Sequence, residues 1–203
     1  MLILSREEMQ AADRRMIEEI GVPGIVLMEH AALKLQEHTR ENALILCGSG
    51  NNGGDGLALA RLLHLDNKKP LVLLMASREL KGDALINLKA AINLGVNIRI
   101  FYEDFSYITE AIKNASMVVD CLFGTGLTRN IKAPYSRAIE RINKSGLYIL
   151  SADLPSGIDA NTGEVLGIAI KASKTISFHA MKKGMTEHPN VFVVDIGIEG
   201  YQD

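Results

Sequence analysis

Between Leu44 and Ala152, short apolar runs alternate with stretches of helical period, and this alternation limits the possible folds more than any other feature of the chain. Leu44–Cys47, Leu71–Ala76, Val96–Phe101, Met117–Leu122 and Leu147–Ala152 have the length and apolar character of strands. Gly82–Leu94, Tyr107–Ala115 and Pro134–Asn143 have helical spacing, the last opened by a proline suited to a first helical turn. Strand, helix and strand in succession predict parallel strands joined by crossover helices, which cover both faces of the sheet. Thr175–Phe178 and Val191–Ile196 are expected to extend the sheet, and Asp159–Gly167, with Gly163 in its middle, to form a turn or small hairpin.

Two helices precede the first strand. Ser5 followed by Glu8 has the pattern of a capping box, and Met9, Ala12, Met16 and Ile20 recur at helical spacing behind it. Gly21 to Gly24, with Pro23 between them, break this helix; Ile25–Thr39 then carries Leu27, Ala31 and Leu35 on one stripe. With 203 residues and 47% hydrophobic content there is enough apolar surface for one well-buried core. The expected fold is a three-layer α/β/α Rossmann-like sandwich, a single domain over 1–203 with a mostly parallel sheet and an N-terminal helix pair.

A formal charge of −2 provides no basic excess for a polyanion, so nucleic acid is not an expected partner. The opening apolar residues run directly into Ser5, too short a stretch for a signal sequence, and no apolar run approaches bilayer length. Cys47 and Cys121 each end an apolar run without metal-ligand spacing, as expected of buried free thiols in a reducing compartment. A soluble, cytoplasmic protein with no membrane partner is expected.

The chemistry-bearing residues cluster where strands end. Gly48, Gly50 and Gly53 fit G-x-G-x-x-G, a tight turn between strand and helix whose N–H groups can approach a pyrophosphate. That turn also carries Asn51 and Asn52, with Asp55 at the start of the helix; these polar groups suit a polar ligand or a hard cation, or else cap and turn the chain. Gly124–Asn130 has the glycines, hydroxyls and Arg129 to hold phosphate oxygens, or is a plain surface loop. Asp120 interrupts an apolar strand and needs either a cation or hydrogen-bond donors. Asp153, fixed at a strand end by Pro155, and Lys182, ahead of a glycine turn, are candidate acid and base; otherwise Lys182 is one of two solvated lysines. His179 lies nearby, but a lone histidine is more often a packing residue than a catalyst, and His30, His38, His64 and His188 likewise have no assigned role.

Gly48–Leu63 with its NNGGD core, Val119–Asn130, Ala152–Val165 with DLPSG, Ile176–Gly184 and the helix pair Ser5–Ala32 together resemble the NAD(P)H-hydrate epimerase family, the YjeF N-terminal domain, over nearly the whole chain. The resemblance implies an isomerase acting on hydrated NADH or NADPH in metabolite repair. It implies substrate contacts from Asn51, Asn52, Gly53, Gly54, Asp55, Gly124, Thr125, Gly126, Leu127, Thr128, Arg129, Asn130 and Asp153. It also implies a potassium ion held by Asn52, Asp120 and Ser156, and a catalytic role for Asp153 and Lys182. The family usually has Ala-Pro-Lys where this chain has Ala180, Met181 and Lys182. A homodimer is implied, with the N-terminal helices in the cleft and the dimer contact, as is a functional partner that dehydrates the hydrate, in many relatives a fused C-terminal domain. Whether the chain stands alone or is a piece of such a fusion is open.

Two rivals remain. A nicotinamide-dependent oxidoreductase would use the same glycine pattern, but the second strand leads into Ser77 and Arg78 rather than a ribose-binding acid, and Asp55 would repel a pyrophosphate. A non-catalytic scaffold binding nucleotide, RNA or protein is the other.

Overall fold

The computed structural model describes residues 1–76, 79–101 and 104–200; Ser77 and Arg78, invoked above against a ribose-binding acid, lie outside the described residues. Seven strands form one sheet: β2 (Ala43–Cys47), β3 (Leu71–Leu74), β4 (Asn97–Ile100), β5 (Met117–Cys121), β6 (Ile149–Ala152), β7 (Lys174–Phe178) and β9 (Val191–Val194). Their spatial order is β4-β3-β2-β5-β6-β7-β9 and every pairing is parallel. The expected strands are all present, with bounds shifted by a residue or two.

In β2 and β5 every residue is buried, which is why both read as apolar runs, broken only by Asp120 in β5, rather than as alternating ones. Ala43, Ile45 and Cys47 face one side, against α2 (Gly24–Gln36), α3 (Asn51–Leu65) and α4 (Gly82–Asn93). Leu44 and Leu46 face the other, against α5 (Phe105–Asn114) and α6 (Tyr135–Asn143), where Pro134 caps the helix rather than occupying its first turn.

The chain leaves β2 toward β3 and leaves β5 toward β6, in opposite directions along the sheet. Their carboxyl ends therefore border a crevice, the usual ligand position in an open α/β sheet. Helix α1 (Arg6–Arg14) starts with the capping box between Ser5 and Glu8 and widens into a π-helical turn over Arg15–Ile20. Before it, β1 (Ile3–Leu4) pairs in parallel with β8 (Met181–Lys182). Sequence reading assigned no element to the first residues, because two residues carry no periodicity; β1 exists only through its pairing.

One expectation is corrected. Asn51–Asp55 is not a loop with Asp55 opening a helix: α3 begins at Asn51 with Gly50 as its N-cap, so the motif forms the first turns of the helix. Its glycines serve close packing rather than turn geometry. A Cβ on Gly53 would lie 2.0 Å from the carbonyl oxygen of Gly48, and one on Gly56 would lie 2.7 Å from Cys47 Sγ and 2.8 Å from Cys121 Cβ. Cys47 and Cys121 are register partners in β2 and β5 and remain free thiols. The turn at Asp159–Gly167 appears as expected, closed by an antiparallel bridge between Ile158 and Val165.

Candidate active site

The crevice gathers residues from four strand ends. Asp153 follows β6 with a φ of 68°, and its N–H donates to Ile176 of β7 at 2.8 Å, which fixes the turn and sends its carboxylate toward β8. There it pairs with Lys182. Lys182 is fully enclosed, and its Nζ also donates to the carbonyls of Phe178 (2.8 Å) and Ala180 (3.3 Å). Three acceptors thus meet the three protons of the ammonium, and the solvated-lysine reading is excluded. The family's proline is not needed for this pose: Met181 keeps an N–H that donates to Leu2 at 2.9 Å, tying β8 to β1.

Asn52 and Gly124 come together at the same place. A Cβ on Gly124 would lie 3.3 Å from Asn52 Cβ and 3.8 Å from Asp153 Oδ2, so the glycine leaves room where α3, the loop after β5 and Asp153 converge. Asn52 is buried, and neither its Oδ1 nor its Nδ2 has a hydrogen-bond partner among the described residues. Two orphaned polar atoms at a cleft indicate that something polar belongs there.

Asp120 is wholly buried, and protein donors compensate it: Ser151 Oγ (2.9 Å), Ser156 N–H (2.8 Å), Ser156 Oγ (2.6 Å) and Leu122 N–H (3.3 Å). Burial raises its carboxyl above the usual carboxylate range, and these hydrogen bonds oppose the rise. The sequence offered cation or donors as alternatives; the donors are present. Ser156 Oγ also accepts from Phe123 N–H at 2.9 Å, linking Asp120 to the loop after β5.

In that loop Gly126, Thr128, Arg129 and Asn130 are exposed, and Leu127 packs partly into the core. Arg129 forms no ion pair among the described residues. Asn51 is exposed, whereas Gly53 and Gly54 are buried, Gly54 beneath the side chain of Met28.

Two acids besides Asp153 face the pair. Asp55, partly buried on α3, is pushed well above the carboxylate range by burial, with the charges of Asp153 and Asp13 adding and Lys182 opposing. Asp13, on α1, is pushed up to about 6 by burial and then by Asp153. Sequence reading missed Asp13. Its signal was a lone carboxylate on the face of α1 that buries Met9 and Met16. His179 is buried, and burial followed by the Lys182 charge holds its imidazole below the usual histidine range. Asp55 and Asp13 are thus both pushed toward their protonated forms beside the Lys182 ammonium, which puts proton donors in the cleft.

The family described as YjeF-related protein N-terminus matches residues 24–184. The chain belongs to this family. A NAD(P)H-hydrate epimerase of Limosilactobacillus reuteri is 35% identical over 194 residues, covering 92% of this chain and 88% of the relative. One from Oenococcus oeni is 34% identical, covering 97% of each. A bifunctional NAD(P)H-hydrate repair enzyme of Thermofilum pendens is 34% identical over 93% of this chain, which spans 38% of that longer protein. The crystal structure of yeast ynu0 (YNL200c) matches with a TM-score of 0.83 at 20% identity, covering 96% of this chain and 88% of that one, and shows the shared fold. The matched family segment contains Asn52, Asp55, Asp120, Asp153 and Lys182, whereas Asp13 lies ahead of it.

Proposed function

We propose that the chain is an NAD(P)H-hydrate epimerase, one domain over 1–203, interconverting the R and S hydrates of NADH and NADPH at nicotinamide C6. The observation that carries this reading is the enclosed Lys182–Asp153 pair at the cleft, in a family with relatives of that name.

C6 of such a hydrate bears a hydroxyl and the ring nitrogen. When an acid protonates the hydroxyl, water leaves with the C–O electron pair and the nitrogen lone pair forms the C6–N1 double bond. Water then adds to the opposite face and gives its proton to a base. Protons and electrons balance without any change of oxidation state, so the reaction calls on no redox cofactor. In this reading Asp55, pushed toward its neutral form, supplies the proton. Asp153, oriented by Lys182, receives it, and the two exchange roles in the reverse direction.

Potassium is the ion this site would take. The orphaned Oδ1 of Asn52 fits a weakly held cation, Ser156 Oγ is a further oxygen ligand, and Asp120 supplies the balancing charge. When bound, it would supply positive charge beside the anionic part of the substrate. Among the described residues no three His, Cys, Asp or Glu side chains cluster as a metal site.

The proposal extends to partners and place. Ile17, Ile20, Val26 and Leu33 expose apolar surface on the N-terminal helices, which supports a homodimer through that face. A dehydratase specific for one epimer would consume the product, and the bifunctional relatives are consistent with that link. The two buried free thiols fit a cytoplasmic setting, and no helix among the described residues is long and apolar enough to cross a membrane.

The test is direct. The purified protein, in potassium buffer, is given separated R and S NADPH hydrates, and their ratio is followed by chromatography. Acceleration of the approach to a common ratio from both sides is expected; a folded protein that leaves both rates at the spontaneous value overturns the proposal.

A further inference from the structure

The first residue of α1 reaches across the crevice into the loop after β5. Arg6 Nε donates to the carbonyl of Thr125 at 2.5 Å, and Nη2 donates to the carbonyl of Leu127 at 3.0 Å and to Asp159 Oδ2 at 2.6 Å. The side chains of Arg6 and Asp159 are only 13% and 14% exposed, so this is an enclosed contact rather than a surface ion pair. Its far end is anchored too. Asp159 Oδ1 accepts from the N–H groups of Asn161 (2.8 Å) and Thr162 (3.0 Å), and Asn161 Oδ1 accepts from Arg6 N–H at 2.7 Å. Burial raises the Asp159 carboxyl, but the hydrogen bonds from Arg6 and these amides outweigh it and hold the group below the usual range.

A peptide unit is planar and trans, so its C=O and the following N–H point in opposite directions. Drawing the carbonyls of Thr125 and Leu127 onto one guanidinium therefore turns the N–H groups of Gly126 and Thr128 away from Arg6, both to the same side. Both residues are exposed, and neither N–H donates to any other group among the described residues. The Leu127 N–H between them is taken by the carbonyl of Gly124 at 3.2 Å, so two unpaired N–H groups, at alternate residues, are left aimed one way and free to receive anionic oxygens.

We propose that Arg6 is a positioning residue that sets the 124–130 loop so that the amides of Gly126 and Thr128 receive the pyrophosphate of the dinucleotide. This rests on the epimerase reading for the identity of the substrate, and it adds a role for a residue outside the matched family segment. The fork geometry matters. Three acceptors in two directions suit the planar guanidinium, whereas a lysine ammonium on a flexible stem cannot hold all three in place.

The experiment pairs Arg6→Ala and Arg6→Lys with Asp159→Asn, each compared with the unaltered protein for hydrogen exchange of the 124–130 segment and for steady-state kinetics on the hydrate. Exchange of the Leu127 N–H, the amide of this segment that the loop protects by its bond to Gly124, is expected to quicken by about fivefold or more in both Arg6 variants, and less in Asp159→Asn, where the arginine stays. KM is expected to rise roughly tenfold with kcat within about twofold, because the loop binds substrate and transition state alike. Arg6→Lys that restores both exchange and KM, or Arg6→Ala that changes neither, overturns the proposal. An Arg6→Ala protein that does not fold leaves Arg6→Lys and Asp159→Asn to decide it. If the unaltered protein has no epimerase activity, the functional reading fails, while loop exchange still judges Arg6.

Discussion

The ammonium of Lys182 sits against the carboxylate of Asp153, with the carbonyls of Phe178 and Ala180 taking its other two protons. The lysine is wholly enclosed, whereas the Asp153 side chain remains 14% exposed toward the cleft. The pair is therefore asymmetric: its positive end belongs to the core, and its negative end faces the space a substrate would enter.

That asymmetry separates two variants. Asp153→Asn leaves an enclosed ammonium without its counter-charge, and breaking such a pair costs roughly 3–5 kcal/mol of stability. Lys182→Met leaves a carboxylate with a route to water, so its loss of stability should be smaller. Asp153→Asn should slow epimerisation by about 10²–10⁴-fold, the usual contribution of a positioned proton-transfer group, and Lys182→Met should slow it as well by freeing the Asp153 carboxylate that it orients. Urea titration alongside kinetics corrected for the folded fraction checks this. Unaltered turnover in folded Asp153→Asn would remove it from the mechanism.

Asp13 should make stability fall as pH rises. Its carboxyl titrates at about 6 in the folded chain, above the value of about 3.9 usual for an unfolded aspartate. Between those values the folded state binds more protons than the unfolded state, so stability declines with pH through this window. Asparagine does not titrate, so Asp13→Asn should be more stable than the natural protein at pH 8 by roughly 1–3 kcal/mol, with the gain vanishing near pH 4. The same variant should lose activity if Asp13 tunes the acids around Lys182. Urea midpoints at the two pH values measure the first effect; equal midpoints at pH 8 would contradict it.

Potassium should raise the melting temperature more than sodium at equal ionic strength, because an ion that binds only the folded state stabilises it in proportion to the logarithm of its concentration. Asn52→Ala should abolish the difference, since it removes the one candidate oxygen ligand with no protein partner. Identical melting curves in the two salts across a wide range of concentration would refute the site.

Gly56→Ala tests the packing of α3 on the sheet. The added methyl would meet Cys47 Sγ at 2.7 Å and Cys121 Cβ at 2.8 Å in a fully enclosed layer. Overpacking of this kind costs about 1–3 kcal/mol. Thermal unfolding would reveal it, and an unchanged melting temperature would mean that the helix can shift outward freely.

What the sequence determined by itself was the periodic part. Runs such as Leu44–Cys47 and Met117–Leu122 are apolar because both faces of a central parallel strand are covered, so their pattern announces the parallel sheet before any contact is known. The motif residues Asn52, Asp120, Asp153 and Lys182 were legible because each is a polar group where an apolar run or a glycine turn leaves it conspicuous. What tertiary structure decided depends on groups distant in the chain. NNGGD reads as a loop because glycine and asparagine disfavour helix, but packing of Gly53 against Gly48 and of Gly54 against Met28 makes those small residues the ones that fit, and they become the start of α3. Asp120 could have met a cation or donors, and only the fold brought Ser151 and Ser156 to it. Arg6 and Asp13 gave almost no sign in the sequence, since a charged residue on a helix is ordinarily solvated. Their burial follows from α1 lying across the strand ends, where Arg6 meets Asp159, 153 positions further along the chain.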